Sequence, residues 1–148
     1  MVRRSPTPVR FDDEVAERLA TFAAARPGLS LSGAANLLVD EGLRMAEHPG
    51  IVFRDGPTGR RAGLVRGPDV WEVIRAVKGT RAAEPKLSEA KMLDLVVTNS
   101  GVALVLVRAS LRYWANYPEE VDAEIAAAER AEETFEAAWR RERDLLSR

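Results

Sequence analysis

The strongest constraint on this chain lies near its start. There "TPVRF" at residues 7–11 alternates in polarity and is followed by two short helix-like runs, with no second strand beside it. Alternation puts Thr7, Val9 and Phe11 on one face of an extended segment and Pro8 and Arg10 on the other. Asp12 or Asp13 is placed to cap a helix whose apolar stripe is Val15, Leu19, Phe22 and Ala23, and "RPG" at 26–28 ends it. A second helix begins at "SLS", with Ser30 or Ser32 as its cap, and "HPG" at 48–50 stops it. Leu31, Ala35, Leu38, Gly42 and Met45 form its apolar line, which Leu37, Val39 and Leu43 widen. A lone strand leaves its backbone groups unpaired, and two short helices do not enclose a core. A second copy of the chain solves both problems, so residues 7–45 are expected to form a homodimer.

Val9-Arg10-Phe11, Val15 with Leu19, the "GLSLS" turn from Gly28 to Ser32, and "NLLVDEGLR" from Asn36 to Arg44 resemble the ribbon-helix-helix family in order and spacing. The likeness covers about a third of the 148 residues. It implies two N-terminal strands paired into an antiparallel ribbon above four interlocked helices. The ribbon lies in the major groove of operator DNA, and the second helix aims its N-terminal amides at a phosphate. Carried across, Arg10 reads bases, because a guanidinium pairs bidentately with guanine. Arg3 and Arg4 reach phosphates, and amides near Leu31 and Ser32 hold the backbone. Pro6 and Pro8 share the outward face of Arg10, where other members usually present polar side chains. Neither donates a hydrogen bond, so Pro8 contributes shape to the DNA-binding surface. The alternative use of this segment is as a dimerisation arm alone.

The net charge of -1 hides an uneven distribution. Residues 1–11 hold three arginines and no acid, 12–47 sum to -4, 48–81 to +4, 82–117 to +1 and 118–148 to -5. Such alternation suits an anionic partner at one place and a different partner at another. With no cysteine and one histidine, His48, the chain offers no thiolate or histidine cluster, and neither metal nor cofactor is expected. No nucleophile–base set is recognisable, so no enzyme and no small-molecule substrate are expected. No apolar run reaches the roughly 18 residues of a membrane span. "MVRRSPTP" has a signal peptide's charge without its apolar stretch. A soluble cytoplasmic protein with no membrane partner follows as the expectation.

In the middle, "IVFRDGPTGRRAGLV" places apolar runs on both sides of a turn-rich stretch and predicts a β-hairpin. Arg54, Arg60 and Arg61 crowd its tip, where Arg60 and Arg61 serve a phosphate-contacting wing or an ordinary solvated turn. "GPDVWEVIRAVKG" predicts a helix with Asp69 and Glu72 at capping-box spacing, Val70, Trp71, Ile74 and Val77 inward, and Gly79 closing it. Residues 82–86 look like a linker, and Leu87 with Met92 forms a hydrophobic staple on the next helix. "VVTNSGVALVLV" permits a hairpin, but Val97, Gly101, Val102 and Val107 have helix-turn-helix spacing, which predicts a second helix from about Ala103 to Asn116. Its groove-facing positions would be Ala103, Leu104, Val105, Arg108 and Ala109. Only Arg108 among them bonds a base, so this motif is expected to be a packing scaffold.

Pro118, the acidic "EEVD" and the late Arg140, Arg141 and Arg143 suit a long last helix. Its 4-3 stripe at 121, 125, 128, 132, 135, 139, 142 and 146 is apolar except at Glu132 and Glu142. A dimeric coiled coil or packing on the chain's own body would use this stripe. Phe135, Trp139, Leu145 and Leu146 lie among charges at its far end, where they are expected to bind a partner.

"EHPGIVFRDGPTGRRA", "DVWEVI", "LRYWANYPEEVDAEIAAAE" and "AAWRRERDLL" resemble a group of bacterial antitoxin-like proteins encoded beside PIN-like nuclease toxins. Trp114 stands where that group usually has the second Tyr of a pair. The resemblance implies DNA binding at the front and neutralisation of a cognate nuclease toxin at the back. A stand-alone ribbon-helix-helix regulator is the alternative. The expected fold class is α+β, mostly α: a ribbon-helix-helix domain over 1–47, a hairpin with a helix-turn-helix-like domain over 48–117, and a partner-binding helix over 118–148.

Overall fold

The computed structural model describes residues 5–57 and 59–147. Among them the order is α1 (Asp13–Ala24), α2 (Leu31–Glu47), β1 (Ile51–Gly56), β2 (Gly59–Leu64), α3 (Val70–Ala83), α4 (Glu89–Ser100), α5 (Leu104–Asn116) and α6 (Pro118–Leu146). The protein is mostly α, with one two-stranded antiparallel sheet in mid-chain. Its contacts divide it into two compact units, one up to Leu43 and one from Arg44 onward.

In the first unit Asp12 occupies the N-cap position of α1, and Asp13 and Glu14 place negative charge at the positive end of the helix dipole. Gly28 takes φ +82°, a left-handed turn that side chains rarely adopt, and reverses the chain after α1. Of the two candidate caps for α2, Ser30 is the one used: its Oγ accepts from the Gly33 N–H at 2.9 Å. The core here is small. Leu19, Ala23 and Ala34 are buried, with Phe11, Phe22, Leu29, Ala35 and Leu38 packed around them. Residues 5–12 form no helix or strand. The ribbon expected over 7–11 is therefore absent within the chain; its expected partner is the same segment of another copy, and the paired strands present are β1 and β2.

The second unit is built around the hairpin. Strands β1 and β2 pair from Ile51↔Leu64 to Gly56↔Gly59, which sets Arg54 opposite Arg61 and Asp55 opposite Arg60. Ile51, Ala62 and Leu64 turn inward to meet Val70, Val73 and Ile74 of α3, Met92, Leu93 and Val96 of α4, Val107 and Tyr113 of α5, and Val121 and Ile125 of α6. Within α3, Val73 is buried whereas Trp71 and Val77 are half-buried around it. The capping box holds, with the Asp69 N–H donating to Glu72 at 2.8 Å.

Gly79 does not end α3, which continues to Ala83. Beyond it Arg81 donates to the carbonyls of Pro85 and Leu87, at 3.2 and 2.9 Å, and so stabilises the following turn. The link to α4 consequently starts at Glu84. Ser88 caps α4, its Oγ accepting from the Lys91 N–H at 3.3 Å. The ambiguous "VVTNSGVALVLV" stretch is helical on both sides of Gly101, whose φ of +70° closes α4. Helices α4 and α5 meet at 110°, a helix-turn-helix geometry. No single helix among the described residues is long and apolar enough to cross a membrane.

Two glycines separate packing from propensity. The Arg54 guanidinium lies where a Gly63 Cβ would stand, and it is fixed there by bonds to the carbonyls of Leu64 (3.1 Å), Gly67 and Pro68 (both 3.3 Å). A Cβ at Gly79 would meet nothing within 4 Å. Gly63→Ala is expected to destabilise by about 1–3 kcal/mol, and Gly79→Ala to stabilise by about 0.5–1 kcal/mol. Urea unfolding of the two variants checks the opposite signs.

Candidate functional site

The last helix is held along its first four turns and uncovered afterwards. Glu120 accepts from the Tyr113 hydroxyl at 2.7 Å and from Arg44 at 3.0 Å, and Arg44 also donates to the Tyr113 oxygen at 2.9 Å. Burial, and then the bond to Glu120, push the Tyr113 phenol above its ordinary range, so it stays a neutral donor. Asp122 accepts from Trp114 Nε1 at 2.9 Å and pairs with Lys78 at 2.6 Å. Val121 and Ile125 enter the core between these polar ties. The pair Arg75–Glu132, at 2.7 Å, is the last tie to α3.

From Glu133 to Ser147 every residue is exposed. Phe135 is 76% exposed, Trp139 53%, Leu145 76% and Leu146 71%. Arg140 pairs with Glu136 one turn away, at 2.5 Å, and Arg143 lies 5.7 Å from the centre of the Trp139 ring. These within-helix contacts support a helix that has no body to lie on. Full burial of such side chains yields about 1.5–3 kcal/mol each, which the free chain does not obtain.

At the base of this uncovered stretch is a cavity of about 180 Å³, lined by Pro57, Arg61, Trp71, Glu124, Ala127, Ala128 and Ala131. Three alanines on α6 leave the space. One carboxylate oxygen of Glu124 is shut off from solvent and accepts no hydrogen bond. Burial, with Glu120 and Asp69 nearby, pushes the Glu124 carboxyl up to about 7, and Arg61 offsets this only in part.

The expected DNA-binding residues are more scattered. Arg3 and Arg4 lie outside the described residues. Pro8, Arg10, Leu31 and Ser32 are exposed in the first unit, the last two in the first turn of α2. Arg61 pairs with Asp69 at 2.9 Å, and Arg60 with Asp55 across the hairpin at 3.6 Å. Arg54 joins Asp69 at 3.2 Å. The arginines crowding the hairpin tip are thus turned to acids of their own unit. On α5, Leu104, Val105 and Arg108 are exposed as expected, but Ala109 faces the core with 3% exposure, because it lies one turn before the fully buried Tyr113 on the same side of the helix.

Two sets of residues escaped the sequence reading. Asp69 stood out only as a cap, not as the acid between Arg54 and Arg61. Glu124 carried a visible signal: three residues after Val121 and four before Ala128, it borders the apolar stripe, where a carboxylate is out of place. The chain matches no known protein family, no curated protein and no solved structure.

The raised Glu124 carboxyl fixes a sign. Its neutral form suits the fold, so the wild-type chain loses stability as pH rises from the ordinary 4.5 to about 7, and the loss levels off above that. Glu124→Gln is expected to match the wild type at pH 4 and to be the more stable protein at pH 8. Denaturant midpoints at the two pH values check this, and an equal difference at both would contradict it.

Proposed function

We propose that this chain is the antitoxin of a type II toxin–antitoxin pair, a homodimer that binds its own operator DNA through its first unit and a nuclease toxin through α6. The observation that carries this reading is the uncovered end of α6, which offers Phe135, Trp139, Leu145 and Leu146 to solvent on an ordered helix. Large apolar side chains in such a place gain free energy only against another surface. Helix-in-groove binding is the mode such a face fits. That the partner is a PIN-like nuclease rests on the resemblance of residues 47–146 to antitoxin-like proteins.

Dimerisation is supported by the first unit's own surface. Val9, Val15, Leu31, Val39 and Leu43 are all exposed. Phe11, Val15, Leu19, Phe22, Leu38 and Val39 line an open groove of about 390 Å³ over a core of three buried side chains. A second copy would cover that groove and pair residues 7–11 with their equivalents. Two copies of Arg10 would then face the DNA. The helix-turn-helix of α4 and α5 has the shape of a reader without the chemistry, since Leu104 and Val105 lead its exposed end.

Arg10→Ala is expected to abolish operator binding, each good base contact being worth ~1–3 kcal/mol, while Arg108→Ala leaves it nearly unchanged. A gel-shift titration at fixed salt against the DNA upstream of the gene reads both. Ending the chain at Ala131 is expected to leave dimer and DNA binding intact and to remove neutralisation of the co-expressed nuclease encoded beside it. A shortened chain that still neutralises overturns the role of α6, and one that keeps DNA binding with no nuclease neighbour to neutralise favours the plain regulator.

A further inference from the structure

The uncovered stripe and the cavity at its base lie on one face of α6. Positions 124, 128, 131, 135, 138, 142 and 145 follow an unbroken 4-3 spacing, so their side chains share one side of the helix. At one end is Glu124, at the other Glu142, and between them are only alanine and phenylalanine. The two acids are 18 residues apart, five turns, or about 27 Å along the axis. An acid within an apolar stripe lowers affinity for a purely apolar groove and raises it for one carrying a cation at the matching place.

The cavity makes this more specific. Glu124 has a buried carboxylate oxygen that no side chain or backbone donor reaches. The charged groups facing it are Glu120 on α6, Asp69 at the start of α3 and Arg61 on β2. Arg61, the one cation among them, is already paired with Asp69 at 2.9 Å. Trp71 lines the same cavity, and an aromatic ring near a carboxylate is chemistry that suits an ammonium or guanidinium group. At about 180 Å³ the space has room for the end of one long side chain.

We propose that α6 carries a single docking face from Glu124 to Leu145, for a protein segment that sets apolar side chains against Phe135 and Leu145, with Trp139 and Leu146 along its edge, and places a lysine or arginine in the cavity beside Glu124. The inference deepens the partner-binding role given to α6 above and names the chemistry of that partner. A second copy of this chain fits less well in parallel pairing, because Glu142 would then face Glu142. Binding of the cation draws the Glu124 proton off, so the interaction strengthens as pH rises.

The cavity is tested with the full-length chain and n-butylguanidinium as probe, with n-butylurea as its uncharged counterpart. Carboxyl-carbon NMR of labelled glutamate reads Glu124, and the indole NMR signal of Trp71, assigned against Trp114 and Trp139 with Trp71→Phe, reads the wall. The expected result is saturable binding of butylguanidinium, a fall in the pH at which Glu124 titrates, and affinity roughly tenfold or more higher at pH 8 than at pH 5.5, from the ionised fraction alone. Glu124→Gln is expected to lose the pH dependence. Ala128→Leu, which fills the space and keeps the acid, is expected to lose binding. The proposal is overturned if butylurea acts as well as butylguanidinium, if Glu124→Gln binds unchanged, or if the Glu124 signal moves with protein concentration alone, which would make a second copy the occupant. Neutralisation of the nuclease is scored separately: probe binding without neutralisation removes the toxin reading and leaves the site, and neutralisation without probe binding does the reverse.

Discussion

Asp69 is the point on which the second unit depends. Buried to 7% exposure, it faces Arg54 of one strand and Arg61 of the other while its own N–H donates to the Glu72 carboxylate at the start of α3. A buried ion pair is a weak source of net stability, but removing one partner leaves an uncompensated charge at a cost of about 3–5 kcal/mol. Here two arginines would be left together. Their positions also explain two glycines, since the Arg61 and Arg54 guanidiniums lie where Cβ atoms of Gly56 and Gly63 would be. The clamp sets the hairpin tip, and with it Pro57 and Arg61, as one wall of the cavity at Glu124.

The charge pattern of the chain takes a different meaning from the fold. The basic block at 48–81 and the acidic block from 118 onward look, in sequence, like surfaces for two outside partners. In the second unit they meet in part, Arg75 with Glu132 and Lys78 with Asp122, while Arg54 and Arg61 pair with Asp69 of the basic block itself. The exposed pairs among these contribute little energy each. Together they orient α6 along α3 and fix where its covered part ends.

Much of the secondary structure was legible, because local chemistry decides it. Ser30 and Ser88 cap helices, Asp69 and Glu72 form their box, Gly101 takes the left-handed turn, and Pro118 opens α6. Gly79 misled, because a glycine ends a helix only where the following residues also leave it, and Thr80 to Ala83 do not. The Arg54–Asp69–Arg61 cluster was hidden for another reason. It joins residues 15 and 8 positions apart whose meeting depends on strand register, and register follows from tertiary packing. The exposed end of α6 was legible as a stripe without a body to cover it. The cavity beneath was not, since alanines at 127, 128 and 131 read equally as helix formers and as the wall of a space.

The second unit thus carries one helix half covered and half presented. Amide hydrogen exchange of the free full-length chain, read segment by segment, tests that division most directly. Amides of residues 121–130 are expected to exchange slowly, with the protection of the core that Val121 and Ile125 share. Those of residues 133–146 are expected to exchange faster by orders of magnitude, through fraying of an unsupported helix. Uniform protection along the whole of α6 would contradict the division, for it would mean that Phe135, Trp139, Leu145 and Leu146 are already covered in the free protein.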